Sequence, residues 1–179
     1  VARFLDQFPA GQSVLDVPFG TGRFVPLYLE RGMSVTGVDI SVDMLAEARR
    51  ALGPLSEAVT MLRADAASLP FDNNSFDGLV SMRFLESIIP YAMVGPVLAE
   101  FRRVCRTWAI VRLNSRAAEL PPLASPPDGA GIMGTALHAG QLQSLCVECG
   151  WQLGESVVVG SKSGTMKGEQ RVCLLRAIN

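Results

Sequence analysis

The sequence predicts one α/β domain, residues 1–179, in which a mostly parallel, doubly wound sheet carries helices on both faces. Short apolar runs alternate with segments of helical periodicity, which is the pattern of successive βα units. A chain of 179 residues with 49% hydrophobic and 18% charged residues is long and apolar enough to fill the core of a single domain. Two strand-like segments near the end flank a Gly-containing turn, so we expect the sheet to finish with an antiparallel hairpin.

The individual elements follow from periodicity and from residues that start or end helices. Ser41 is expected to cap a helix, and Gly32 and the Gly53-Pro54 pair are expected to end the helices that precede them. Segment 120–134 holds four prolines and three glycines and is expected to be a loop near the ligand. We expect strands at 13–17, 34–40, 59–63, 76–82, 108–113, 151–159 and 170–178, and helices at 1–8, 22–31, 42–52, 91–105 and 138–149.

Charge and cysteine content exclude several classes of protein. A formal net charge of −1 gives no field that would attract nucleic acid or an anionic membrane. No apolar run reaches the roughly 18 residues that a membrane span requires. Cys146 and Cys149 lack the second ligand pair of a zinc site, so we expect core packing and no metal. Without a signal peptide or a disulfide framework, we expect a cytoplasmic protein.

The most informative pattern lies at the end of the first expected strand. An apolar run enters Asp16, a tight loop with Gly20 and Gly22 follows, and helical periodicity then begins. Such a loop brings bare backbone amides against a ligand at the start of a helix. Asp39 ends the next apolar run, and a carboxylate at that place can accept the hydroxyls of a ribose. Together these features predict a cofactor that carries a nucleoside.

Three kinds of nucleoside site compete for this loop. A phosphate-binding P-loop requires Gly-Lys-Ser/Thr, which the sequence lacks. A dinucleotide site prefers Gly-x-Gly-x-x-Gly, and the third glycine position falls at Val25. A site for S-adenosylmethionine is the third kind, and motifs elsewhere in the chain favour it.

Motifs spread from about Ser13 to Trp151 accompany the glycine loop. They are Val14-Leu15-Asp16 with Gly20-Thr21-Gly22, Asp39-Ile40-Ser41 with Met44-Leu45 and Ala48-Arg49, Asp65-Ala66 with Leu69-Pro70-Phe71, Ser75-Phe76-Asp77, and Glu100-Phe101 with Arg103-Val104. In this order they resemble the motifs of the class I (Rossmann-like) S-adenosylmethionine-dependent methyltransferases. The resemblance implies a seven-stranded sheet of order 3-2-1-4-5-7-6, with the last strand antiparallel and the ligand across the carboxyl ends of strands one and four.

The resemblance also implies which residues hold S-adenosylmethionine and its product, S-adenosylhomocysteine. Asp16 would orient the loop and the ligand ammonium, and Asp39 would accept both ribose hydroxyls. Asp65 would accept from the adenine amine, while the Ala66 amide would donate to a ring nitrogen. The other implied contacts are Gly20 and Gly22 with the aminocarboxypropyl group, Ile40 and Met44 with the adenine faces, and Met82 with the methionine portion.

The loop departs from the family pattern at one position. Pro18 stands where the first glycine of the motif is common, and proline fixes φ at about −65° and removes an amide donor. We expect the loop to tolerate this proline. Phe19, which follows it, is expected to narrow the loop and to be able to close over the ligand.

The resemblance implies methyl transfer to an O, N, C or S atom of a small-molecule acceptor, by a monomer or a homodimer. The protein would mainly align the nucleophile and exclude water, and a general base is needed only for a nucleophile that carries a proton. Glu86, past the fourth strand, is a candidate for contact with the acceptor. His138, which opens the last helix, is a second candidate.

Two other functions stay open. Family members usually carry upstream helices that cover the substrate, and this sequence has little to supply them, so N-terminal helices are expected to be lacking. A catalytically degenerate protein that binds cofactor or a partner without turnover would fit that difference. A nucleotide-dependent oxidoreductase is the third hypothesis, and the missing third glycine argues against it. Affinity for S-adenosylmethionine or for NAD(H) distinguishes the last hypothesis from the other two.

Overall fold

A computed structural model describes residues 1–86, 88–116, 139–162 and 168–178. Its centre is a seven-stranded sheet of strand order β3-β2-β1-β4-β5-β7-β6, which confirms the expected order. The strands are β1 (Ser13–Asp16), β2 (Ser34–Asp39), β3 (Val59–Arg63), β4 (Phe76–Ser81), β5 (Cys105–Arg116), β6 (Trp151–Lys162) and β7 (Gly168–Ala177). The helices are α1 (Ala2–Leu5), α2 (Val25–Leu29), α3 (Val42–Leu52), a 3-10 helix (Gly53–Ala58), α4 (Tyr91–Val104) and α5 (Ala139–Glu148).

The pairing of the strands places the carboxyl ends of five strands on one edge of the sheet. β1 lies between β2 and β4 and pairs parallel with both, and β2–β3 and β4–β5 are parallel as well. β7 pairs antiparallel with β5 and β6, as the hairpin prediction requires. After β1 the chain adds β2 and β3 on one side of β1, and it later adds β4 and β5 on the other side. This reversal leaves a crevice at the carboxyl end of β1, which is where open α/β sheets bind ligands.

Side chains that alternate along the central strands divide the core into two layers. Val14 and Val80 pack into the layer that holds Tyr28 and Trp108. Leu15 and its neighbours on the other face pack into a second layer, which α4 and α5 cover. Because successive strand residues point to opposite faces, a strand buried on both faces reads as a continuous apolar run. This explains why the central strands were recognisable in the sequence.

Several boundaries differ from the predicted ones. α2 begins at Val25 and not at residue 22, because the glycine loop extends through two left-handed glycines before helical geometry begins. β5 begins at Cys105, directly after α4, and not at residue 108. α1 covers Ala2–Leu5 only. The Pro/Gly segment 120–134 and the predicted start of the last helix at His138 lie outside the described residues.

The described parts of the chain contain neither a helix able to span a membrane nor a cluster of candidate metal ligands. Among the helices that the structure describes, none is long and apolar enough to cross a membrane. Within the same residues, no group of three or more His, Cys, Asp or Glu side chains is arranged to hold a metal ion.

Candidate functional site

A cavity of about 530 Å³ opens at the carboxyl edge of the sheet, above the ends of β1, β2 and β4. The loop after β1, the first residues after β2 and the segment after β4 form its walls. The lining residues are Asp16, Pro18, Phe19, Gly20, Thr21, Arg23, Phe24, Asp39, Ile40, Met44, Met82, Arg83, Phe84 and Ile88. The cavity therefore occupies the crevice that the strand order creates.

The two loop glycines serve different purposes. Gly20 borders the cavity with φ of 57°, and a Cβ added there would meet nothing closer than Met44 Cε at 3.9 Å. Gly22 has φ of 70°, and an added Cβ would lie 2.8 Å from Leu52 Cδ1 and 2.9 Å from the Phe19 ring. Both positions need a left-handed backbone, which glycine adopts without a steric cost. Gly20 leaves open space toward the cavity, whereas Gly22 makes room for the core.

Asp39 joins the glycine loop to the end of β2. Its side chain is only 6% exposed, and its Oδ2 accepts a hydrogen bond from the Gly20 amide at 2.9 Å. Its Oδ1 accepts from the Ser41 amide at 3.0 Å, at the N-terminus of α3. An ionised carboxylate has about four lone-pair directions, so two of them remain for hydroxyl donors from the cavity. The structure therefore brings Asp39 and Gly20 together, as the sequence predicted.

Asp16 ends β1 and forms part of the cavity wall. It is 3% exposed, and its Oδ2 accepts a hydrogen bond of 3.1 Å from the hydroxyl of Tyr28, which is fully buried. Burial raises the pKa of Asp16 to about 8, because desolvation of the carboxylate outweighs the Tyr28 hydrogen bond and the nearby charge of Arg23, while Asp39 adds a small repulsion. A carboxyl group with a pKa raised in this way ionises more readily when a cation binds beside it.

Phe19 lies in a different place from the expected one. Its amide donates to the Val38 carbonyl at 2.7 Å, and its ring is 4% exposed. The ring fills the space beside Gly37, where an added Cβ would lie 2.4 Å from Phe19 Cδ2. The expectation that this ring can close over a ligand is therefore wrong, because the ring packs into the core beneath the loop. Phe19 still borders the cavity.

Three apolar side chains assigned to the cofactor border the cavity. Ile40 and Met44 follow Asp39 and are 61% and 36% exposed, although both are large and hydrophobic. Met82, directly after β4, is half-buried on the opposite side of the glycine loop. Exposed hydrophobic side chains that border a cavity are a common feature of binding sites.

Asp65 and Ala66 follow β3 and do not line the cavity. The Ala64 amide donates to the Asp39 carbonyl at 3.2 Å, which keeps this segment beside the end of β2. Asp65 is exposed, and its Oδ1 accepts from the Ala67 amide at 2.9 Å. The Ala66 side chain is 7% exposed and belongs to the core. Contact of this pair with adenine stays a prediction, as does ligand contact by Gly22.

Glu86 is buried beside the cavity and not in its wall. It is 5% exposed, its Oε1 lies 3.2 Å from Arg112 Nε, and its Oε2 accepts from the Phe84 amide at 3.1 Å. Burial raises the pKa of Glu86 despite these two partners. Asn114 Nδ2 donates to the Glu86 carbonyl at 3.0 Å, so the residue connects the segment after β4 to β5. His138 lies outside the described residues.

The sequence prediction missed two arginines and two phenylalanines in the cavity wall. Arg23 lies over the Phe24 ring, 4.4 Å from its centroid. Arg83 and Phe84 follow Met82 past the carboxyl end of β4, and Phe84 lies two residues before the predicted Glu86. The available signal was their position, because residues after strands adjacent to the crevice face the ligand in open α/β sheets.

Comparison with known proteins agrees with the family that the sequence motifs resemble. Residues 15–111 match the family model described as a methyltransferase domain. A phosphatidylethanolamine N-methyltransferase from Cereibacter sphaeroides is 42% identical over 118 residues, which are 64% of this chain and 56% of that protein. The chain thus spans about half the length of the curated relatives it matches.

Solved structures with low sequence identity share the fold. A [4+2]-cyclase superposes with a TM-score of 0.77 at 18% identity, over 99% of this chain and 81% of that chain. Magnesium protoporphyrin IX methyltransferase from Synechocystis PCC 6803, crystallised with S-adenosylhomocysteine, superposes with a TM-score of 0.72 at 18% identity, over 98% of this chain and 80% of that one. The family match over more than half of the residues, together with this strand order, shows that the chain belongs to the class I S-adenosylmethionine-dependent methyltransferases.

Proposed function

We propose that this chain binds S-adenosylmethionine in the cavity and transfers its methyl group to a small-molecule acceptor. The observation that supports this most is the hydrogen bond from the Gly20 amide to the Asp39 carboxylate. It places a buried carboxylate and an open glycine backbone on one wall of a cavity at the switch in strand order. Membership of the family makes a sulfonium cofactor the first candidate for that wall.

The residues present fit this cofactor. The open space at Gly20 admits a ligand close to the backbone, and Asp39 keeps lone pairs for the two ribose hydroxyls. Ile40 and Met44 offer apolar surface to an adenine ring, which would explain why they are exposed. Asp16 faces the cavity and has one hydrogen-bond donor among the described residues, so it can pair with an ammonium group.

The part of the cavity wall that the cofactor leaves free would orient the acceptor and exclude water. When bound, the cofactor supplies a methyl group on a positively charged sulfur, which is already activated for displacement. Phe24, Met82, Phe84 and Ile88 line the cavity with apolar surface, and such surface removes water from the place where the nucleophile must be aligned. The chain's contribution to the reaction is therefore alignment and desolvation.

We assign no general base. In the described part of the cavity wall, the carboxylates are Asp16 and Asp39, and the proposal uses both for the cofactor. Glu86 is paired with Arg112 outside the wall. An acceptor whose nucleophile is unprotonated near neutral pH needs no base.

Small molecules are the proposed acceptor class. The relative from Cereibacter sphaeroides is named for N-methylation of phosphatidylethanolamine, and one structural neighbour is named for a porphyrin substrate. These names support a low-molecular-weight acceptor that includes apolar parts, which agrees with the apolar side of the cavity.

Calorimetric titration tests the cofactor assignment. We expect S-adenosylmethionine and S-adenosylhomocysteine to bind the unmodified chain with micromolar affinity, and Asp39→Ala to weaken both by about 100-fold. Asp43→Ala is the matched control, because Asp43 is an exposed acid in the first turn of the neighbouring helix α3. Binding of NADH without binding of either sulfur compound would contradict the proposal and favour an oxidoreductase.

A turnover assay separates an enzyme from a degenerate binding protein. The assay measures S-adenosylhomocysteine formed from S-adenosylmethionine with a panel of amines, phenols, quinols and thiols, including phosphatidylethanolamine. We expect at least one acceptor to raise product formation above the rate without acceptor. Tight cofactor binding without turnover on the whole panel would favour the degenerate alternative.

A further inference from the structure

The two arginines of the cavity wall lie in different surroundings. Arg23 belongs to the glycine loop, and Arg83 follows β4. β4 lies on the opposite side of β1 from β2, so Arg83 and Asp39 flank the glycine loop from two sides. Two strand spacings separate their strands, or about 10 Å. If the proposed cofactor lies with its ribose at Asp39, Arg83 is on the side that the acceptor would occupy.

The other charged groups of the site already have partners. Asp39 accepts from two backbone amides, Asp16 accepts from Tyr28, and Arg23 lies over Phe24. Glu86, the acid nearest to Arg83 along the chain, is paired with Arg112. Glu86 also attracts the Arg83 charge, but within the described ranges the exposed Arg83 guanidinium has neither a hydrogen bond nor an ion pair, so it can bind a ligand in the cavity.

The backbone at Arg83 is held in an unusual conformation. Its φ is 61°, in the left-handed region that side chains other than glycine rarely adopt. Such residues persist where the surrounding structure holds them, and they cluster at ligand sites. Glu86 contributes here, because it binds the Phe84 amide on one side and Arg112 on the other. The buried ion pair thus fixes the turn that carries Arg83.

Apolar residues share the cavity wall with Arg83. Met82 and Phe84 flank Arg83 in sequence, and Ile88 is 53% exposed although it is large and hydrophobic. A single cation beside an apolar surface suits a ligand with an anionic group and an apolar part. A guanidinium binds phosphate and carboxylate oxygens with two parallel hydrogen bonds, which gives orientation as well as affinity.

We propose that Arg83 binds an anionic oxygen group, a phosphate or a carboxylate, of an amphipathic methyl acceptor. This inference rests on the proposed function, because the cofactor defines which side of the cavity is left for the acceptor. It assigns Arg83 as a residue that determines specificity, and it assigns the apolar surface of Met82, Phe84 and Ile88 to the apolar part of the acceptor.

Dodecyl phosphate is the probe that tests this site, in calorimetric titrations of protein saturated with S-adenosylhomocysteine. We expect it to bind more tightly than the neutral dodecyl maltoside, and Arg83→Gln to weaken its binding by about tenfold or more. Arg83→Lys, which keeps the charge without the bidentate geometry, should retain part of the affinity. Arg49→Gln is the matched control, because Arg49 is exposed on α3 and does not line the cavity.

Four other results would contradict this proposal or the proposed function on which it rests. Equal binding of dodecyl phosphate to the unmodified chain and to Arg83→Gln would overturn the assignment. Loss of S-adenosylhomocysteine binding in Arg83→Gln would also overturn it, because Arg83 would then hold the cofactor carboxylate. Inorganic phosphate that binds as tightly as dodecyl phosphate would overturn the amphipathic acceptor. A chain that binds no S-adenosylhomocysteine contradicts the proposed function, and titration of the cofactor-free protein with dodecyl phosphate then decides on Arg83 separately.

Discussion

Asp16 and Asp39, at the carboxyl ends of β1 and β2, are almost equally buried but accept hydrogen bonds from different donors. Asp16 is 3% exposed and Asp39 is 6% exposed, and both line the same cavity. Asp39 accepts from two backbone amides, whereas in the part of the chain that the structure describes Asp16 accepts from the Tyr28 hydroxyl alone. Burial raises the pKa of Asp16 to about 8.

The difference shows that hydrogen-bond donors, and not burial alone, determine what a buried carboxylate can do. Backbone amides favour the ionised form of a carboxylate and fix its orientation. Asp39 is therefore suited to hold the glycine loop and to accept hydroxyls. Asp16 lacks such donors, so its ionisation depends on a cation that arrives with the ligand.

The largest expected effect is on ligand affinity when Asp16 loses its charge. Asp16→Asn should weaken S-adenosylhomocysteine binding by about 100-fold at pH 8, because a charge-assisted hydrogen bond contributes roughly 1.5–3 kcal/mol. Calorimetry measures this, with Asp77→Asn as a control acid outside the cavity that bonds to Ser13. An unchanged affinity would mean that Asp16 has no part in the cofactor site.

Packing beneath the glycine loop should affect stability strongly. Gly37→Ala should lower the free energy of unfolding by about 2 kcal/mol, because its Cβ would lie 2.4 Å from the Phe19 ring that supports the loop. Urea denaturation measures the change. Gly140→Ala is the control, because an added Cβ meets nothing within 4 Å there and alanine favours the helix. Equal stability of Gly37→Ala and the unmodified chain would contradict the described position of Phe19.

A further effect concerns the pH dependence of stability. In the folded chain Asp16 keeps its proton up to a pKa of about 8, against 3.8 for the unperturbed group. Between these values the folded state holds a proton that the unfolded state has lost, so its contribution to stability falls as the pH rises from about 4 to 8. Urea denaturation at pH 5.5 and pH 8 should therefore show a steeper decline for the unmodified chain than for Asp16→Asn. Parallel declines would refute the raised pKa.

The smallest expected effect comes from the hydroxyl of Tyr28. Tyr28→Phe keeps the buried ring and removes the donor to Asp16, so we expect a loss of about 1 kcal/mol in the free energy of unfolding. The same change should raise the pKa of Asp16 further, because the hydrogen bond lowers it. Carbon-13 NMR of labelled aspartate carboxyls follows this titration. A lower pKa in the variant would contradict the described hydrogen bond.

The sequence predicted much of this site because its signals are local. The apolar runs into Asp16 and Asp39 and the Gly20-Thr-Gly22 loop lie on short segments, and the order of the motifs implied the strand order that the structure has. Residues that follow a central strand must lie near the crevice in such a sheet. The position of Asp39 therefore followed from a strand end, whereas the resemblance of the motif that begins there implied Ile40 and Met44.

The remaining features depend on contacts between distant residues. The Phe19 ring enters the core because Gly37, on the neighbouring strand, has no side chain there. Glu86 is withdrawn from the cavity because Arg112 of β5 lies within ion-pair distance. Neither contact follows from periodicity or from a motif, since each joins segments that only the folded sheet brings together.

A crystal structure of the chain with S-adenosylhomocysteine tests the central claim most directly. We predict the ligand in the cavity between the glycine loop and Met82, with both ribose hydroxyls within about 3.2 Å of the Asp39 carboxylate oxygens and the ammonium group beside Asp16. An ordered ligand at any other place on the molecule, or a ribose beyond hydrogen-bond distance of Asp39, would contradict the account.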